Sequence, residues 1–388
     1  MLFWLDEDYY VIPDACAFKQ IFFMTNKDFA FSSNPNLLSL VDDLIFDDEA
    51  KFYLESEEKK DKEYAFPLFG TLYKNVRRLL PNHIYSLKEA CSIRMWPTMP
   101  IYNINEEEAL RIIKRVFYNS FISLKKQFKN LYFSLTAGLD SRIVLFNCVR
   151  NQNKVLLQNI KTFTHCRDNC ETEDVKVARK ISSFLNIEHI KIGYRYFDSN
   201  DKNDLKHAYW NSIDSSIGRI VGQDALIIKG SASEICRLPY GRFPTSYINK
   251  KVLLNCMGVK STSFSMKILE EWINGIKENS YNNLSIYDLI YWEHRMGSWQ
   301  AQNQYESDEY FETFTPFNCR MLLYTILGVK WKKRIPPYSL YLNSIKEEQE
   351  FFDIPFNGES ITLFSKITNC IKYHIPMLNL IYLMLKHK

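Results

Sequence analysis

The sequence predicts an α/β protein, a parallel β-sheet with helices on both faces, preceded by a small antiparallel β-rich region. Three observations carry this. From Leu131 onward, short buried strand patterns alternate with helical patterns, as in parallel sheets. Before about residue 100 the chain is instead a series of short aromatic and β-branched runs separated by turn residues. Between them, residues 131–142 read as a buried strand, a tight turn of small residues and a helix start.

In chain order, 9–13, 20–24 and 28–32 read as antiparallel strands. Ser32-Ser33-Asn34-Pro35-Asn36 is a turn and helix-start signal. The charged run 55–63 is a solvated helix end or loop. Phe69-Gly70, Val76-Arg77-Arg78-Leu79-Leu80-Pro81-Asn82-His83 and a strand-like 84–87 follow, and Arg94-Met95-Trp96-Pro97 closes the region. A linker at 98–105 separates an N-terminal domain over 1–100 from a second over 105–388. That second domain begins with an amphipathic helix, its apolar face carrying Leu110, Ile113, Val116, Phe117, Phe121 and Leu124. Strand patterns then recur at 131–135, 155–165, 189–193 and 225–230, with helices at 141–150 and 173–185 between them.

Composition removes several classes of function. The chain has 388 residues, 46% of them hydrophobic, enough for a large core, so global disorder is excluded. A net charge of +4 and the lack of a long basic run argue against a nucleic-acid partner. No stretch of ~20 uninterrupted apolar residues argues for a spanning helix. Met1-Leu2-Phe3-Trp4-Leu5 runs at once into Asp6, Glu7 and Asp8, unlike a secretory signal, and nine scattered cysteines fit reduced thiols in the cytoplasm. Only 12 glycines are present, so each one in a structured stretch marks a position worth explaining.

The segment Thr136-Ala137-Gly138-Leu139-Asp140-Ser141 is the most informative. Small residues at 136–138 let the backbone approach an anion, and the helix beginning at Ser141-Arg142 turns free N–H groups toward the same point. Asp140 suits a Mg²⁺ ion that neutralises phosphate oxygens. The Gly-Lys-Ser/Thr ending of a Walker loop is absent; an ordinary strand-to-helix turn is the plainer alternative. The six residues resemble the pyrophosphate-binding loop, Ser-Gly-Gly-x-Asp-Ser, of the asparagine synthetases and their relatives, which include β-lactam synthetase and lasso-peptide cyclases. Ala137 stands where a glycine is more usual, and alanine resists positive φ.

Further segments resemble that family in the same order. The strand holding Phe163 and Thr164, followed by Glu173-Asp174, is similar to its second βαβ unit, where backbone groups hold adenine. Gly230-Ser231-Ala232-Ser233-Glu234 resembles its Gly-Glu-Gly-Ala-Asp-Glu stretch, with Ser233 in place of an aspartate. Glu293-His294-Arg295, Trp299, Asp308, Thr315-Pro316-Phe317-Asn318 and Arg320 resemble its helical region. The first domain is similar to part of the family's glutaminase domain, but position 2 is Leu and the first cysteine is Cys16, so a nucleophilic N-terminal cysteine is missing.

The resemblance implies a five-stranded PP-loop ATP pyrophosphatase fold of the HUP-like type and an AMP-forming amide ligase. ATP and Mg²⁺ are its implied cofactors. A small-molecule, sugar or peptide carboxylate is activated as an acyl-adenylate, then attacked by ammonia or an amine, with the nitrogen donor a candidate partner. In this reading Thr136, Ala137, Gly138, Leu139, Asp140, Ser141, Phe163, Thr164 and Gly230 bind the nucleotide. Asp140 and Glu234 hold metal. Glu234, Arg237 and one of Lys330, Lys332 and Lys333, with Lys330 foremost, serve the chemistry. Glu293 and Arg295 line an acceptor pocket or form an ion pair within one helix. The different-class rival is an inactive nucleotide-binding scaffold, favoured by Ser233. His165-Cys166 with Cys170 has weak zinc-ligand spacing and reads as loop thiols. Residues 361–385 read as a helix packed on the domain, with shallow membrane-surface contact as the lesser alternative.

Overall fold

The computed structural model describes residues 1–5, 7–27, 29–58, 65–97, 101–149, 157–167, 170–194, 221–222, 224–244, 248–276, 284–308, 310–346 and 363–385. Part of the charged run 55–63 lies outside them.

Among the described residues, the N-terminal region holds seven strands, β1 (Leu2–Leu5), β2 (Asp8–Val11), β3 (Phe22–Met24), β4 (Phe31–Ser32), β5 (Val76–Arg78), β6 (His83–Ser86) and β7 (Cys91–Arg94). They make a four-stranded antiparallel sheet ordered β1-β2-β6-β7 and a three-stranded one ordered β4-β3-β5. Strand β1 was not evident in the sequence. Its apolar residues are all exposed, so it forms by pairing with β2 and not by burying a face.

The long helix Glu106–Gln127 follows. Asn105 caps it, accepting a hydrogen bond from Glu108 N–H at 2.8 Å, and acidic residues at 106–108 suit its N-terminal dipole. The second sheet comprises β8 (Asn130–Ser134), β9 (Ile160–Arg167), β10 (Glu188–Tyr194), β11 (Ala225–Ile228) and β12 (Glu312–Phe314). Its order is β10-β9-β8-β11-β12 and every neighbouring pair is parallel. Alternation along each strand sorts residues to two faces. Leu131, Phe133, Leu226 and Ile228 join the main core with helices Glu106–Gln127, Leu139–Val149 and Glu173–Phe184, while Tyr132, Phe163, Ile192, Ala225 and Ile227 form a smaller cluster on the other face.

The main core does not stop at the boundary between the two sheets. Ala15, Cys16, Phe66, Leu80 and Trp96 of the N-terminal region share it with Trp292, Phe317 and Leu322. Polar groups reinforce the junction. Trp292 Nε1–H donates to Ala15 O at 2.8 Å, Cys16 N–H donates to Asn318 Oδ1 at 2.8 Å, and Arg320 donates to Pro13 O and Asp14 O. Arg94 binds Glu293 through both guanidinium arms, at 2.5 and 2.8 Å, and Trp272 and Asn82 donate to the same carboxylate. Burial opposes the charge of Glu293, but Arg94 and His83 outweigh it and hold the carboxyl below its ordinary pKa.

Glu293 lies in a π-helix, Tyr291–Gln300, between the α-helices Ile286–Ile290 and Ala301–Asp308. Gly297 lets this helix touch the N-terminal region, since a Cβ there would stand 2.3 Å from Pro81 Cδ. The chain's last described helices are Leu363–His374 and Pro376–Leu385, broken at the residue before Pro376. Among the described residues, no helix is long and apolar enough to cross a membrane.

Candidate functional site

Strand β8 is central. The next strand in the chain, β9, pairs on one side of it and β11 on the other, so the connections leaving the carboxyl ends of β8 and β11 diverge. Such a topological switch point opens a crevice where ligands of open α/β sheets bind. Residues 135–141 and 229–237 enter it. Gly230 brings them together, because a Cβ there would stand 2.8 Å from both Asp140 C and Ser141 N.

The loop after β8 is stapled from within. Thr136 N–H donates to Ser141 Oγ at 3.1 Å, and Gly138 N–H donates to Thr136 Oγ1 at 3.1 Å. Ala137 N–H donates to Asp174 Oδ1 at 2.7 Å, reaching the start of helix Glu173–Phe184. Neither Ala137 nor Gly138 takes a positive φ, so alanine at 137 is unstrained. Leu139 opens the helix Leu139–Val149, whose first N–H groups lack intrahelical acceptors and face the crevice with its positive dipole end. Thr164 Oγ1–H donates to Leu135 O at 2.6 Å, fixing the strand end just before the loop. The side chains of Phe163 and Thr164 are buried in the fold itself.

Opposite the loop, Ala232 adopts the left-handed conformation that turns the chain into the short 3₁₀ helix Ser233–Cys236. Ser233 Oγ–H donates to Asp140 Oδ1, and Arg237 Nη2–H donates to Asp140 Oδ2 at 2.8 Å. Arg237 also lies 3.6 Å from Glu234 Oε1. Burial and the nearby Asp140 charge push the Glu234 carboxyl up to about 7, against the pull of Arg237. Burial disfavours the Arg237 cation, but the two carboxylates outweigh it and hold that group above its ordinary range. Two buried polar atoms, Glu234 Oε2 and Arg237 Nε, have no hydrogen-bond partner among the described residues.

These residues do not fit a Mg²⁺ ion held by the protein. Both Asp140 oxygens are occupied, Arg237 already supplies the positive charge between Asp140 and Glu234, and no metal-holding group of three His, Cys, Asp or Glu occurs among the described residues.

Lys330 is exposed. From that basic segment the fold instead draws in Arg334, which is buried and donates to Cys236 O at 2.8 Å. Tyr341 Oη–H donates to Ser233 O at 3.2 Å, and the Arg237 guanidinium lies 5.4 Å from the Tyr338 ring centroid. Asp174, Arg334, Tyr338 and Tyr341 are the supports sequence reasoning missed. For Arg334 no signal distinguishes it from the neighbouring lysines.

Glu293 and Arg295 are neither an internal ion pair nor a shared pocket wall. Glu293 binds Arg94, whereas Arg295 stacks on Trp299, 3.3 Å from the ring centroid, and contributes positive potential at Glu234. Asn318 and Arg320, and Asp308 through Lys19 at 2.7 Å, fasten the N-terminal region and do not enter the crevice. Cys166 is buried and Cys170 exposed, and among the described residues they belong to no metal-holding group.

The fold and site together define a parallel α/β protein with a charged crevice at its switch point. No protein family and no curated protein matches the chain. Among solved structures it is similar to the U34-tRNA thiolase NcsA from Methanococcus maripaludis with its 4Fe-4S cluster, at 11% identity over 74% of this chain and 82% of that one. The TM-score is 0.27, and a likeness of that size carries no argument about activity.

Proposed function

We propose that the chain is an ATP-dependent amide ligase of the asparagine-synthetase type, forming AMP and pyrophosphate. The observation that carries this reading is the meeting of the 136–141 loop with Glu234 and Arg237 at one switch point, where two buried polar atoms lack partners among the described residues.

In this reading a substrate carboxylate oxygen attacks the α-phosphorus of ATP, and pyrophosphate leaves. Ammonia or an amine then attacks the acyl carbon, and AMP departs with the carboxylate's bridging oxygen. The helix start at Leu139 and the Arg237 cation meet the phosphate charge. Glu234, with its pKa near neutrality, accepts the proton that the amine loses. The buried Cys16 thiol, pushed well above its ordinary range by burial, suits packing and not nucleophilic attack.

A second reading is a nucleotide-binding scaffold without catalysis. It is favoured by the internal pairing of the loop amides and by the full occupation of Asp140. ATP–pyrophosphate exchange over a panel of small-molecule, sugar and peptide carboxylates separates the two. Exchange that depends on one acid supports the ligase. Nucleotide binding with no exchange for any acid supports the scaffold.

A further inference from the structure

We infer that the C-terminal helix pair and the basic segment beside it form a docking surface for an anionic lipid bilayer. The helix Pro376–Leu385 buries Asn379 and Leu380 and leaves most of its other apolar side chains exposed. Its polar residue Asn379 is only 2% exposed and donates to Tyr240 O at 2.9 Å and Arg242 O at 3.1 Å, while Met377 is 55% and Leu385 59% exposed. Leu378, Ile381 and Tyr382 are also exposed. Leu380 joins the main core, but a helix that only covers a core carries a polar outer face, and this one is apolar there.

The flank of this apolar face is basic. Trp331 contacts the His374 ring at 5.7 Å between centroids and carries the Arg242 guanidinium at 4.2 Å and the Lys332 ammonium at 5.8 Å. Lys330, Lys332 and Lys366 are exposed. Neither 329–345 nor 363–385 contains an aspartate or glutamate. An apolar helix face edged by tryptophan and lysine matches the boundary between acyl chains and anionic headgroups. A second copy of the chain is a poorer occupant, because a two-fold contact would set the same positive flank against itself. The helices are too short to span, so the contact is shallow.

Flotation of the full chain with vesicles tests this. We expect binding to phosphatidylcholine–phosphatidylserine vesicles, weakening with salt, and little binding to phosphatidylcholine alone. The exposed pair Leu378→Asp and Ile381→Asp should abolish flotation. The exposed pair Lys332→Glu and Lys366→Glu should weaken it on the order of tenfold or more and serves as a second variant should the first fail to fold. Absence of wild-type flotation overturns the inference, as does flotation indifferent to both variant pairs. A dimer that the aspartate pair dissolves, with no vesicle binding, assigns the face to a second copy and overturns it equally.

Discussion

Arg237 donates to Asp140 at 2.8 Å while lying 3.6 Å from Glu234, so one guanidinium serves two carboxylates drawn from opposite sides of the switch point. Removing that cation leaves the Asp140 carboxylate without its charged partner in a partly desolvated site. Arg237→Ala is therefore expected to cost about 3 kcal/mol of stability. A double-mutant cycle with Asp140→Asn should recover part of that loss. Strictly additive losses in urea unfolding would show that the pair is not coupled.

Asp140→Asn keeps the shape of the side chain and removes its charge. Under the ligase reading, it frees the Arg237 cation from its anchor and should lower ATP–pyrophosphate exchange while leaving the thermal midpoint within a few degrees of wild type. Full exchange in this variant would show that the Asp140 contact does not position Arg237 for the reaction.

Gly230→Ala places a methyl group against the backbone of Asp140 and Ser141, and backbone cannot step aside as a flexible side chain does. The expected cost is roughly 1–3 kcal/mol, with a larger proportional loss of exchange because the two loops are driven apart. An alanine variant with wild-type stability and exchange would refute the close approach.

Glu293 is fully buried with Arg94 as its partner. Arg94→Ala leaves a buried carboxylate uncompensated and should destabilise the chain by about 3–5 kcal/mol. Because that pair crosses the shared core, the loss should appear in a single transition of the whole chain and not in an early unfolding step of the N-terminal region. Two resolved calorimetric transitions would contradict this.

His294 accepts a hydrogen bond from Leu68 N–H at Nδ1, at 3.2 Å, and its Nε2 lies 3.2 Å from Met257 O, a pattern that suits the neutral ring. Burial holds its pKa down to about 3, below the ~6.5 of an unfolded histidine. Between those values the unfolded chain binds a proton that the folded chain refuses. This contribution to stability is complete above pH 6.5 and shrinks as pH falls toward 3, by up to about 1.4 kcal/mol per unit. Urea midpoints at pH 7 and pH 5 should differ less for His294→Gln than for wild type. Equal differences would exclude His294 as the cause.

The parallel sheet was legible because its strands are buried on both faces and read as apolar runs, as in 131–135 and 225–228. The phosphate-type loop was legible because small residues between a strand and a helix are locally distinctive. Arg237 stood out by its distance of three residues from Glu234, as a group to bind a substrate carboxylate or phosphate, but its ion pairs with Asp140 and Glu234 were not foreseen. What was not legible depends on contacts far apart in sequence. Asp174 was visible as a helix start, but not its bond to Ala137. Lys330 and Arg334 look alike in a basic run, and only tertiary packing buries one and exposes the other. Glu293 looked like a pocket residue because its partner, Arg94, lies 199 positions away.

That shared core also fixes an order of events during synthesis. Ala15 and Cys16 are held by Trp292 and Asn318, partners 277 and 302 positions downstream. At roughly 5–20 residues per second, the ribosome delivers those partners about 15–60 s after the first strands emerge. For that interval the apolar faces of the N-terminal region stay uncovered, so chaperone supply in the producing cell, more than the stability of the finished protein, is expected to limit how much of it accumulates.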